Sequence, residues 1–300
     1  MTSAHRVTIF GIVCLLWAAS AVAASAPPAG AAPRLAFAKN GDIWTIAADG
    51  DGLKRLTSGS SYESAPAWSP GRGSLAYLSR PRASSSRRER LWVMRSDGAN
   101  RRRLAYVGPS LAGGSSALAY SPHGGLLAGG AKLAAQNSWA VTVLDLKART
   151  SRIVYRYDSA DGVQSLTWSP DGAQLVATIE YGGTYGTVRV DVAHDRLIKM
   201  HGMSNVESAS WRPDGKYLLC SKWFPTVSGG PYRTLLMRPD GTRVKTLGEN
   251  QRFPVYSPHG SQYAFIEYVG GDTVLKRAAA DGSGITTILA AKNIWNVAWR

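Results

Sequence analysis

One short phrase, an aromatic residue followed by a proline-containing turn, occurs five times in this 300-residue chain. It reads Trp68-Ser-Pro-Gly-Arg-Gly, Tyr120-Ser-Pro-His-Gly, Trp168-Ser-Pro-Asp-Gly, Trp211-Arg-Pro-Asp-Gly and Tyr256-Ser-Pro-His-Gly. The prolines Pro70, Pro122, Pro170, Pro213 and Pro258 stand 52, 48, 43 and 45 residues apart. Self-similarity at such a period marks an array of supersecondary units that cannot bury their apolar faces alone and must pack on one another.

The segment from Ser165 to Met200 shows what each unit is. Ser165-Leu-Thr-Trp168 leads into the Ser169-Pro-Asp-Gly172 turn. There proline pre-sets φ, Asp bonds the local backbone and Gly accepts positive φ. Gln174 to Ile179 reads as a second strand, Thr187 to Val192 as a third with β-branched alternation, and Arg196 to Met200 as a fourth. Four antiparallel strands at this pitch make one propeller blade.

The termini fit the same template. Arg34-Leu-Ala-Phe37, Asp42 to Ile46 and Leu53 to Thr57 match strands two, three and four of a blade that lacks strand one. Val297-Ala-Trp-Arg300 matches a strand one that lacks its successors. Together they complete a blade and remove the exposed sheet edges of an open array. The expected fold is all-β: a six-bladed β-propeller of four-stranded antiparallel blades over residues 34–300, closed by N-terminal strands two to four and C-terminal strand one.

The repeated Trp-Ser-Pro-Asp-Gly turn is accompanied downstream by Asp-Gly, as in Ser96-Asp-Gly98, Pro239-Asp-Gly241 and Ala280-Asp-Gly282. This combination resembles the six-bladed TolB-type β-propellers. Gly71 replaces the motif Asp in one copy, and His123 and His259 replace it in two others. An N-terminal α/β domain like that of TolB is not expected ahead of the repeats. The resemblance implies a place among proteins of the cell envelope.

Export is expected independently. Residues 1–24 read as a signal peptide, with a basic start at His5 and Arg6, an apolar run from Val7 to Ala19 and Ala21-Val22-Ala23 as the cleavage site. Residues 25–33 are Ala/Pro-rich and read as a disordered lead-in. The mature chain is then periplasmic, cell-surface or secreted, without an integral membrane segment. Cleavage removes Cys14 and leaves Cys220, so the fold must rest on its core rather than on a disulfide.

A formal net charge of +15 attracts anions. Export argues against nucleic acid, leaving a protein or an acidic envelope glycan as the expected partner of a monomer. No metal or cofactor is implied: zinc-ligand spacings and a Gly-x-Ser-x-Gly elbow are absent, and the Asp-Gly pairs read as turns. The anchors Trp68, Trp168, Trp211 and Trp299 read as inter-blade core.

Binding is expected on the variable connections. Three segments between second and third strands crowd one face: Arg80 to Arg90, Tyr181 to Gly186 and Trp223 to Tyr232. They nominate Trp223, Phe224, Tyr232, Tyr181 and Tyr185 as aromatic anchors. Arg80, Arg82, Arg87, Arg88 and Arg90 are nominated as bidentate grips for carboxylate or phosphate. The leading reading is an exported, non-catalytic binding or scaffold protein. The alternative is a lyase or hydrolase acting on an acidic polysaccharide, for which Glu63, Glu180 and Glu207 are the candidates; their ordinary role at strand ends is surface solvation.

Overall fold

The computed structural model describes residues 33–83, 89–111, 117–133, 138–158, 161–226 and 230–300. The expected signal peptide, all but Pro33 of the lead-in, and Arg87 and Arg88 lie outside the described residues.

Six four-stranded antiparallel sheets are arranged as the blades of a propeller. Blade 1 is the shared one, ordered from the axis outward as Ile294–Trp299, Arg34–Lys39, Asp42–Ala47 and Lys54–Arg55. Blade 2 runs Ser61–Trp68, Ser74–Pro81, Arg90–Arg95, Arg102–Arg103, and blade 3 Leu118–Tyr120, Leu126–Lys132, Ser138–Asp145, Thr150–Asp158. Blade 4 holds Gly162–Trp168, Gln174–Tyr181, Thr184–Asp191, Arg196–Ile198, and blade 5 Val206–Trp211, Leu218–Trp223, Tyr232–Met237, Arg243–Glu249. Blade 6 is Arg252–Tyr256, Gln262–Val269, Asp272–Ala279, Thr286–Ala291. The clasp pairs Leu35 with Trp299 and Ala36 with Ala298. Its inner strand begins at Ile294, three residues earlier than the Val297 expected from the repeat.

Second strands are the most deeply buried, because both their faces meet neighbouring blades. Leu75, Ala76 and Leu78, like Leu175, Val176 and Ala177, are fully covered. The anchor aromatics occupy the seams between blades. Trp168 is buried and donates from Nε1 to the Ala119 carbonyl of the preceding blade, at 3.0 Å. Side-chain hydroxyls add cross-blade bonds: the backbone N–H of Trp211 donates to Thr167 Oγ1 at 3.1 Å, and that of Tyr256 to Ser210 Oγ at 3.2 Å.

The repeated turn is also an inter-blade device. Ser169 Oγ accepts from the Gln174 N–H at 2.9 Å, and Ser121 and Ser257 repeat this bond in their own turns. Gly172 (φ 73°) lets the turn pack against Pro122 and His123 of the blade before. In blade 2 that left-handed position falls to Arg72, at φ 56°, which is how the Gly-Arg-Gly variant still closes its turn. The Asp-Gly segments behave as backbone turns. Asp97 and Asp240 accept from the N–H two residues on, at 2.9 and 2.8 Å, and these bonds hold both carboxyls below the usual aspartate range.

Candidate functional site

First strands run along the axis with one edge open to the channel. Their upper ends share a bulge. The register shifts between Ser64 and Ala67, Val163 and Ser165, Val206 and Ser208, and Arg252 and Val255. Ala65, Phe253 and Asn296 adopt φ of 50°, 50° and 53° there. A bulge re-aims the neighbouring side chain. Here it turns the residue four before each anchor aromatic toward the channel mouth: Ser64, Gln164, Glu207, Arg252 and Trp295 all line one cavity of about 420 Å³. The equivalent in blade 3, Ser116, lies outside the described residues.

This mouth is the face onto which the connections between second and third strands open. All six glutamates of the chain lie toward it. Glu63 and Glu207 are near the starts of first strands, Glu180 and Glu267 near the ends of second strands, and Glu249 ends a fourth strand. Glu89 precedes the third strand of blade 2. Three of them, Glu89, Glu180 and Glu207, line the cavity with two arginines, Arg80 and Arg252. In a strongly basic protein the described lining of this cavity thus holds one more acidic than basic side chain.

The side chains there form a continuous arc over four blades. Gln164 of blade 4 donates from its amide to Glu180. Tyr185, on the third strand of the same blade, donates to Glu207 Oε1 at 3.3 Å. Glu207 is 1% exposed and is held by Arg252, whose Nε lies 2.9 Å from Oε2 while Nη2 bonds Oε1. The Arg252 guanidinium in turn stacks on Tyr232 at 4.3 Å, Tyr268 at 5.0 Å and Phe253 at 5.2 Å. Tyr268 continues to Trp295 of blade 1, with ring centroids 5.9 Å apart. Burial lowers the pKa of Arg252 from its usual value, opposed by the nearby Tyr268, Tyr185 and Glu180. Burial raises that of Tyr185, and Glu180 beside it adds to the rise.

The expected site residues divide. Tyr185 and Arg80 line the cavity, Arg80 lying 4.6 Å over the Tyr62 ring. Tyr232 reaches it through Arg252. Trp223 pairs with Tyr232 on the hairpin of blade 5, outside the cavity. Phe224 packs against the blade 5 core beneath Arg233. Tyr181 turns into the seam between blades 3 and 4, edge-on to Tyr157 at 6.2 Å. Arg82 is a strap, bonded to the Ser61 carbonyl at 2.7 Å and the Asn40 carbonyl at 3.1 Å. Arg90 is exposed at the start of its strand. The segment from Tyr181 to Gly186 is not an open loop: Tyr181 pairs with Thr184 across Gly182 and Gly183, whose φ of 54° and 82° make a two-residue hairpin turn.

Surface solvation does not describe the glutamates. Glu207 is buried in its ion pair, Glu180 is fixed by Gln164, and Glu63 is 6% exposed between the hydroxyls of Thr57 and Ser79. Burial raises the Glu63 pKa above the ordinary 4.5, and Asp42 nearby adds to it. The folded chain thus binds this proton more tightly than the unfolded one. Glu63 therefore costs stability progressively as pH rises through the interval above 4.5. Urea titrations of wild type and Glu63→Gln should show the difference moving in favour of the glutamine variant between pH 4 and 7, by about 1 kcal/mol for each pH unit spanned by the shift. A pH-independent difference would contradict the assignment.

Arg252, Gln164, Tyr268 and Trp295 were outside the expected set. The signal for three of them is positional: each stands four residues before a repeat aromatic, on the strand nearest the axis.

No protein-family model and no curated protein sequence matches the chain. Among solved structures it is similar to TolB from Acinetobacter baumannii, with TM-score 0.71 and 19% identity over 89% of this chain and 66% of that one. The chain thus spans just under two thirds of that protein's structure. It is similar to a putative TolB from Agrobacterium tumefaciens, with TM-score 0.68 and 17% identity over 89% of this chain and 92% of that one. It also matches a chain of a nidogen/laminin complex, with TM-score 0.63 and 10% identity over 89% of this chain and 98% of that one. At such identities the likeness speaks to the fold. With six blades, Asp-Gly turns after the third strand in four of them, and superposition on two TolB structures, the chain has the fold of a TolB-type six-bladed β-propeller.

Proposed function

We propose that this is a non-catalytic binding protein of the cell envelope that docks a protein partner on the mouth face. One observation carries the reading: the chain's aromatic and charged side chains converge there in a bonded arc, whereas the Asp-Gly turns of the opposite face spend their carboxylates on the backbone. Large aromatic groups and arginines fixed by neighbours supply contact area at little entropic cost. The signal-like leader supports export, and no helix among the described residues is long and apolar enough to cross a membrane.

The polysaccharide-enzyme reading gains one point, since Glu180 and Glu207 share the cavity. It loses another, because the acid excess of the described cavity lining disfavours a uronate.

Immobilised protein incubated with solubilised native envelope, then washed with rising salt, tests the docking reading. A partner retained by wild type should be lost about tenfold or more with Trp223→Ala/Tyr232→Ala, the magnitude of a hot-spot truncation. The double variant should retain cooperative unfolding. Equal retention by both proteins would remove this face as the docking surface.

A further inference from the structure

We propose that the mouth cavity is a binding site for an uncharged pyranose, taken as one residue of a neutral oligosaccharide. The inference goes beyond protein docking and stands whether or not a protein seats on the same face.

Size comes first. The cavity, about 420 Å³, falls within the range of small-molecule sites, about 300–1,000 Å³. It is bounded by the first strands of five blades, so its walls are mostly sheet, with Gly41 and Glu89 added from connections.

Polarity comes next. A sugar ring presents adjacent hydroxyls, each both donor and acceptor, and a flat patch of C–H groups. The cavity offers planar partners of both kinds: the Glu180 carboxylate, the Gln164 amide, the Arg80 guanidinium and the hydroxyls of Ser64 and Tyr185. These groups are held before any ligand arrives. Gln164 fixes Glu180, and the buried Glu207 fixes Tyr185. Pre-organisation lowers the entropy cost of binding. Trp295, 38% exposed at the rim and braced by Tyr268, supplies an aromatic face for the C–H patch.

Charge then selects among ligands. Glu207 and Arg252 neutralise each other. Arg80 is left facing Glu89 and Glu180, so the described lining holds one acid in excess, which disfavours uronates and phosphates. The same acid excess attracts a cation, but the cavity's Phe253 face, which would pair with it, already carries the Arg252 guanidinium. An uncharged ligand with many hydroxyls satisfies both conditions.

The test is calorimetry and saturation-transfer NMR on the purified chain with cellotriose, the trimer of N-acetylglucosamine, trigalacturonate and trilysine. At least one neutral trisaccharide should saturate the protein with a Kd of about 1 mM or tighter. Trigalacturonate and trilysine should bind at least about tenfold more weakly. Trp295→Ala and, separately, Glu180→Gln should each weaken the neutral sugar about tenfold or more. Because Trp295 sits on the clasp strand, Glu180→Gln is the arm that leaves the ring intact; its thermal unfolding should match wild type. Trp223→Ala, outside the cavity, should bind sugar normally while failing the partner retention assay, which separates the two proposals. Absence of saturation by both neutral trisaccharides, equal or tighter binding of either charged probe, or unchanged affinity in Glu180→Gln would overturn the assignment.

Discussion

Replacing Ile294 and Trp299 together by alanine is expected to leave the chain largely unfolded at 25 °C. Ile294 is fully buried and Trp299 nearly so, and both pack with Leu35, Phe37 and Ile46 in the shared blade. Truncating a buried isoleucine costs about 2–5 kcal/mol and a buried tryptophan about 3–5. Their combined loss is comparable to the whole stability of an ordinary domain, about 5–15 kcal/mol. The position makes the loss worse than in an interior blade. This strand is held to the second strand of its sheet across nearly the full length of the chain, and it packs against the first three strands of blade 6. Without it Arg34–Lys39 becomes an open edge with unpaired backbone groups. Far-ultraviolet circular dichroism and urea titration measure this directly. Cooperative unfolding with less than about 2 kcal/mol lost would show that the clasp does not carry ring closure.

Arg252→Ala is the second large effect. The substitution leaves Glu207, 1% exposed, with the 3.3 Å bond from the Tyr185 hydroxyl to hold its carboxylate. Breaking a buried ion pair from one side costs about 3–5 kcal/mol, because a desolvated charge is stranded. The pH dependence carries the diagnosis. Protonating the stranded carboxylate removes the charge, so the variant should regain stability relative to wild type as pH falls from 7 toward 5, the Glu63 contribution being common to both. Adding Glu207→Leu to Arg252→Ala should restore much of the loss, since removing both charges of a buried pair is close to neutral. If the double variant is as unstable as the single one, the loss comes from stacking on Tyr232 and Tyr268 rather than from Glu207.

Much of this molecule is legible along the chain because its architecture is written in local chemistry. Each Trp-Ser-Pro-Asp-Gly turn carries its own dihedral preferences, and the alternation around it sets which residues face the next blade. The split blade follows from matching Arg34 to Thr57 and Val297 to Arg300 against one template. The site is less legible. Trp223 and Phe224 look like binding aromatics because they sit in a Gly/Pro-rich insert, yet Phe224 packs into blade 5 and Trp223 stands outside the cavity. Tyr181 looks equivalent to Tyr185. The hairpin places them on opposite strands, one turned to Tyr157 and the other to Glu207.

Glu207 and Arg252 are the plainest case. They lie 45 residues apart in chain, and nothing near either announces the other. A local reading gives a glutamate at a strand end its commonest surroundings, which is water. Closing the ring brings neighbouring first strands side by side around one axis, and a shared bulge aims the same repeat position of each into one volume. Turn chemistry and strand periodicity act over a few residues, so sequence by itself determined blade, count and clasp. Which side chains meet at the mouth, and with what net charge, depends on contacts between blades, and only the closed tertiary structure decided that.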